Sequence, residues 1–259
     1  MFSLMRIALV CAIAVYVLSA AAAETPPVVA AASDLRFAME EIATRFQRES
    51  GRAVKLSFGS SGNYYRQIQQ GAPFELFMSA DESYVLRLAD AGRTQDRGVL
   101  YAVGRIVLFA PTGATWQADA QMKGLQAALQ AQRILRFAIA NPEHAPYGRA
   151  AEQALRKASL WTAIQPHLVL GENVSQAAQF ATSGSTAGGI FAYSLALAPN
   201  LAGRGNYVLV PETLHEPLRQ RMALVKGAGS TAVALYAYLQ QPTARAILKR
   251  HGFALPGEQ

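Results

Sequence analysis

Cysteine is almost missing from this chain: among 259 residues there is one, Cys11. It lies in an apolar run over residues 7–18, behind Arg6 and ahead of Ala21-Ala22-Ala23 and Glu24. A basic residue, roughly a dozen apolar ones and an A-x-A site describe a secretory signal peptide over residues 1–23, because a membrane span needs about 18 or more. The residues before Cys11 are too large for a lipidation site. Cleavage would leave no cysteine at all, which excludes an internal disulfide, a redox pair and a thiolate zinc site. A chain of this size can bury a sufficient core in an oxidising compartment without such staples.

Clusters of charge are scarce too. The formal net charge is +7, of which Arg6 carries one unit. The remaining Lys and Arg are spread thinly, with no run of the kind that marks a nucleic-acid surface. No second apolar stretch approaches the length of a span, so the processed protein is expected to be soluble. His144, His167, His215 and His251 lie far apart and lack metal-ligand spacing. Neither a resident cofactor nor a directly ligated metal is expected. Hydrolase signatures are missing as well. Gly59-Ser60-Ser61-Gly62 has its second glycine one place early for G-x-S-x-G, and there is no S-x-x-K pair and no P-loop. A secreted hydrolase is therefore a remote reading, and the chain is not expected to be an enzyme.

What the chain does carry is a regular alternation. Apolar runs predict strands over residues 28–32, 54–58, 74–78, 99–110, 137–140, 168–170, 189–192, 207–210 and 223–225, the fourth interrupted at Gly104-Arg105. Helical spacing, as in Leu35, Ala38, Met39, Ile42 and Phe46, predicts helices over 34–49, 61–70, 147–158, 174–182, 231–239 and 242–250. A further helix ends near Ala89, with Asp81 as its N-cap. Strands alternating with helices predict an α/β fold of parallel sheets flanked by helices, and the length predicts two such units.

Two short turns stand out. Ala31-Ala32-Ser33-Asp34 and Gly59-Ser60-Ser61-Gly62 each follow a strand and open a helix. A helix start offers unpaired N–H donors and a partial positive charge, so it holds an anion without a cationic side chain. Taken alone, Ser33 and Ser61 would be ordinary N-caps. In open α/β sheets, however, ligands bind beyond the carboxyl ends of the strands. Ser33, Ser61, Tyr147 and Val174 each lie just past such an end. Asp34 is expected on the first turn, directed away from the pocket, and Ser60 is expected to support its turn.

Five segments, in order, make the reading more specific. They are Val29-Ala30-Ala31-Ala32-Ser33-Asp34-Leu35, Leu56-Ser57-Phe58-Gly59-Ser60-Ser61-Gly62, the stretch Gln67-Ile68-Gln69-Gln70-Gly71-Ala72-Pro73-Phe74-Glu75-Leu76-Phe77-Met78-Ser79-Ala80-Asp81, then Asn141-Pro142-Glu143-His144-Ala145-Pro146-Tyr147-Gly148, and Gly171-Glu172-Asn173-Val174. Together they resemble the periplasmic molybdate-binding proteins of ABC-type molybdate importers. The resemblance covers nearly all of the chain after residue 23. It implies a two-lobe Venus-flytrap fold, each lobe a mainly parallel sheet flanked by helices, with two crossovers. Lobe one would comprise residues 24–104 and 213–259, and lobe two residues 105–212.

By the same resemblance, the protein would be periplasmic and monomeric. It would capture molybdate, and tungstate with it, and hand the anion to an inner-membrane permease. Molybdenum enters only as the bound oxyanion. Sulfate or phosphate is the alternative cargo. Ser33 and Ser61 would donate hydroxyls, and Tyr147 and Val174 backbone N–H groups. Many relatives also use a strand-end tyrosine. Simple alignment puts Ala192 there, with Tyr193 one place later. Either Tyr193 substitutes through a local shift, or the chain lacks that ligand and Tyr147 compensates.

Overall fold

The computed structural model describes residues 25–257. The segment read as a signal peptide, with Cys11, lies outside the described residues. β1 (Val28–Ala32) is apolar throughout and buried over its last four residues. It runs into a single 3₁₀ turn, Ser33–Leu35, and then α1 (Arg36–Ser50), which buries Ala38, Met39, Ile42 and Phe46 on one face. That spacing is the helical period read from the sequence. β2 (Lys55–Gly59), α2 (Ser61–Gln69), β3 (Phe74–Ser79), α3 (Glu82–Asp90) and β4 (Val99–Gly104) follow. Asp81 caps α3, accepting from the Ser83 N–H at 2.8 Å.

Arg105 alone separates β4 from β5 (Ile106–Pro111), which lies in a different sheet. The second lobe continues with α4 (Lys123–Gln130), β6 (Phe137–Ala140), α5 (Pro146–Lys157), α6 (Trp161–Ile164), β7 (Leu168–Gly171), α7 (Val174–Thr182), β8 (Gly189–Ala192), α8 (Tyr193–Ala196) and β9 (Gly205–Leu209). The chain then returns to the first sheet through β10 (Leu218–Leu224) and ends in α9 (Ser230–Leu239) and α10 (Pro242–Arg250).

The strand orders are β2-β1-β3-β10-β4 and β7-β6-β8-β5-β9. The two sheets share one plan. β1 is parallel to β2 and β3, and β6 is parallel to β7 and β8. β10 and β5 are antiparallel to both of their neighbours. The two-lobe α/β architecture expected from the sequence is present; each sheet is mixed, with one strand reversed among four that run the same way.

The reason is topological. Strands that feed a helix run toward the other lobe and end at the interface. A strand that enters a lobe across that interface must run away from it. Two crossovers therefore insert one reversed strand into each sheet. The same geometry aims the carboxyl ends of β1, β2, β3, β6 and β7 at the gap between the lobes. Among the described residues no helix is long and apolar enough to cross a membrane.

Candidate binding site between the lobes

Ser33 follows β1 directly and is buried. Its side chain makes no capping bond to its own helix. Instead Ser33 Oγ accepts the N–H of Ser175, at the start of α7 in the other lobe, at 3.3 Å. Ser61 is fully buried at the first position of α2. The cap of that helix is Ser60, which accepts the Asn63 N–H at 3.3 Å, so Ser61 is left for another use. Its Oγ accepts the N–H of Ala80, just beyond β3, at 2.9 Å. A hydroxyl has one proton to give and lone pairs to receive with. In both serines a backbone N–H occupies the accepting side, and the O–H is left to donate.

Tyr147 and Val174 occupy the first turns of α5 and α7. First-turn N–H groups precede the first intrahelical acceptor, and among the described residues neither N–H has a backbone partner. Pro146 at the start of α5 suits a position that needs no donor. Asn173 caps α7 by accepting from Ser175 and Gln176 at 3.0 and 3.1 Å, which leaves Val174 uncommitted. These four residues border one small recess between the lobes, with a cavity volume of about 10 Å³. Ser33 and Ser61 come from the first lobe, and Tyr147 and Val174 from the second. No Lys, Arg or His borders it among the described residues, and the one carboxylic acid that does is Asp34.

Asp34, expected on the first turn and directed away from the pocket, borders the recess instead. It is buried, with Oδ2 accepting from the Tyr147 phenol at 2.8 Å and from Gln220 Nε2 at 2.7 Å. Gln220 also donates to the Tyr147 oxygen at 3.1 Å and accepts from the Tyr101 phenol at 2.8 Å. Burial pushes the Asp34 carboxyl up to about 6, against the opposing pull of Gln220, Tyr147 and the nearby N–H groups of Asp34 and Leu35. Burial likewise holds the Tyr101 and Tyr147 phenols well above their ordinary range, with the Asp34 charge adding to the effect, so both remain donors. A Cβ on Gly104 would lie 2.2 Å from the Tyr147 oxygen and 2.8 Å from Gln220 Nε2. Glycine at the crossover makes room for this network.

Tyr193 is placed elsewhere. Its N–H donates to the Arg105 carbonyl at 2.9 Å as β8 turns into α8. Its ring lies under the Arg105 guanidinium at 4.8 Å and beside Tyr207 at 6.0 Å. Those contacts hold the side chain on the crossover and away from the recess, and Ala192 closes the buried end of β8. Ser194, one residue further on, reaches across instead and donates to the Asp34 carbonyl at 2.8 Å.

Sequence reasoning missed Ser175, Ser194 and Gln220, each an ordinary polar residue with no local motif. The lobes also meet where the Gly62 N–H donates to the His144 carbonyl at 2.9 Å and Ser60 Oγ lies 2.9 Å from His144 Nδ1. Arg149 of α5 pairs with Asp81 and donates to the Tyr84 hydroxyl at 3.1 Å.

The family described as bacterial extracellular solute-binding protein matches residues 27–254. The chain belongs to that family. Among curated relatives of this solute-binding protein, the molybdate-binding protein ModA of Azotobacter vinelandii is 37% identical over 258 residues, 98% of this chain and 99% of that one. ModA of Rhodobacter capsulatus is 35% identical over 239 residues, 91% and 90% of the two chains. Among solved structures, the periplasmic molybdate-binding protein of Azotobacter vinelandii matches with a TM-score of 0.80 at 30% identity, over 90% of this chain and 100% of that one.

Proposed function

We propose that this solute-binding protein captures molybdate in the interlobe recess and delivers it to an ABC permease from the periplasm. Tungstate, nearly the same size, is a second cargo. The protein acts as a monomer, with no resident cofactor and no catalysed reaction. The observation that supports this most strongly is the chemistry of the recess. Donors from both lobes converge there, none of them cationic, in a chain whose relatives are named for binding molybdate.

In this reading the Ser33 and Ser61 hydroxyls and the Tyr147 and Val174 N–H groups donate to the oxygens of the anion, and no protein atom reaches the metal. Hydrogen bonds to a charged group contribute roughly 1.5–3 kcal/mol each. Four of them supply roughly 6–12 kcal/mol, and after ordering costs of about 4 kcal/mol the upper end corresponds to micromolar capture. Because the anion touches both lobes, it favours their closed arrangement by its differential affinity. Sulfate is smaller and would leave some donors unmet.

Ser60 beside His144 is the nearest approach to a nucleophile and base, but Ser60 Oγ caps α2 and joins the lobes. Calorimetry with molybdate, tungstate, sulfate and phosphate tests the assignment. Molybdate and tungstate should bind, and sulfate and phosphate should not compete in large excess. Competition by either would point to another oxyanion as cargo. Turnover of an ester or phosphoester panel would overturn the binding-protein reading.

A further inference from the structure

Asp34 presents a problem for a dianion site. It borders the recess, it is 2% exposed, and it is the sole carboxylic acid there among the described residues. Its two carboxyl oxygens are unequal. Oδ2 accepts from both Tyr147 and Gln220, whereas Oδ1 is buried and makes no well-formed hydrogen bond, with only the nearby N–H groups of Asp34 and Leu35 to favour its charge. An ionised carboxylate in that position would repel a doubly negative guest and would also leave a buried charged oxygen without a well-formed bond, which is costly. Since both partners of Oδ2 are donors, a proton on this carboxyl belongs on Oδ1.

We propose that Asp34 is a proton-bearing specificity residue: the closed complex holds the oxyanion together with one proton on Asp34 Oδ1, so capture is coupled to proton uptake. This rests on the oxyanion-binding reading above. The proton comes from water at the moment of closure and returns to it on release. The protonated acid becomes a hydrogen-bond donor beside the guest, and the repulsion disappears. The lobes enforce this, because Tyr147 and Ser194 belong to the second lobe and Asp34 to the first. Opening withdraws both and lets water reach the carboxyl.

No charged group competes for the role among those that meet Asp34. α5 contributes the Tyr147 phenol, β10 contributes Gln220, β4 contributes the Tyr101 phenol through Gln220, α8 contributes Ser194, and α7 contributes Ser175 at the neighbouring Ser33. Burial already lifts the carboxyl to about 6, and a dianion beside it lifts it further. Uptake is therefore expected around neutral pH.

The test is calorimetry of molybdate binding from pH 5.5 to 8.5, in buffers of different ionisation heat, on the purified protein and on Asp34→Asn. Asn keeps an oxygen for Tyr147 and Gln220 and places an N–H₂ donor where the protonated oxygen stood. In the wild-type protein, binding should take up close to one proton near pH 7. Its affinity should fall by about tenfold per pH unit above the free carboxyl's titration. Asp34→Asn should bind with no such uptake, with a flat pH profile and higher affinity than wild type at pH 8.5. No proton uptake by the wild-type protein, or equal uptake by the variant, would overturn the proposal while leaving molybdate as cargo. Phosphate binding at pH 8.5 in preference to molybdate would also overturn it, because an ionised Asp34 would then be accepting the guest's own proton. No molybdate binding by either protein at any pH would sink the cargo assignment itself.

Discussion

Ser33 and Ser175 hold each other across the lobes: the Ser175 N–H donates to Ser33 Oγ at 3.3 Å, and Ser175 Oγ donates to the Ser33 carbonyl at 2.9 Å. One bond orients the hydroxyl assigned to the anion, and the other ties that turn to α7. Ser175→Ala keeps the N–H and removes the return bond. A neutral hydrogen bond is worth about 0.5–1.5 kcal/mol, so molybdate affinity should fall by roughly 2- to 10-fold in calorimetry. Full wild-type affinity would mean that the return bond does not contribute to closure.

Ser61→Ala should cost more. It removes a hydroxyl whose accepting side is already used by Ala80, leaving its proton for the guest. Loss of one bond to a charged partner predicts a weakening of about 10- to 150-fold. Unchanged affinity would remove Ser61 from the ligand set.

Gly62 separates folding from closure. A Cβ there would lie 2.6 Å from the His144 carbonyl oxygen, which belongs to the other lobe, and 2.9 Å from the Tyr84 hydroxyl. The Tyr84 hydroxyl ends a side chain that can shift, whereas the His144 carbonyl is backbone. Within α2, alanine is the better helix former by about 1 kcal/mol. Gly62→Ala should therefore fold normally yet keep the lobes from meeting. Small-angle scattering should show little compaction on adding molybdate, and affinity should drop by at least about tenfold.

Tyr147→Phe leaves the backbone N–H in place and takes one donor from Asp34. That donor favours the charged carboxyl, so its loss moves the Asp34 titration further up from about 6. A carboxyl raised above its unfolded value contributes stability at low pH that is lost as pH rises through the raised value. The variant should melt below wild type by about 1 kcal/mol at pH 5, where Asp34 is neutral, and by about 1.5–3 kcal/mol at pH 8. A gap that shrinks with rising pH would contradict this network.

Tyr193→Phe should leave molybdate affinity within about twofold of wild type, as expected for a substitution away from the site. The ring stacks on Arg105 outside the recess. A large loss would return Tyr193 to the ligand set.

Legibility followed the strength of local signals. Residues 28–32 and 137–140 form strands as read, because short apolar runs bounded by turns leave little choice. α1 was legible from its buried stripe, although its first turn is 3₁₀ rather than α. α4 was not. Its cap is Asp119, which accepts from Lys123 at 3.1 Å and Gly124 at 2.7 Å from outside the usual cap position, while Met122 sits there with φ of 57°. β10 was read as residues 223–225 and begins at Leu218. Arg219, Gln220 and Arg221 hid its start. Arg219 and Arg221 pair with Glu82, and Gln220 is wholly buried against Asp34.

Local chemistry alone determined that strand ends would feed helix starts and that Ser33, Ser61, Tyr147 and Val174 would stand at those ends. Backbone donors and N-terminal turns are properties of a few consecutive residues. Tertiary structure decided which ends face one another, that two crossing strands reverse direction in their sheets, and that Tyr193 stacks on Arg105 while Ser175 and Ser194 cross the interface. It also decided that Asp34 meets Gln220 of its own lobe and Tyr147 of the other, residues distant in sequence.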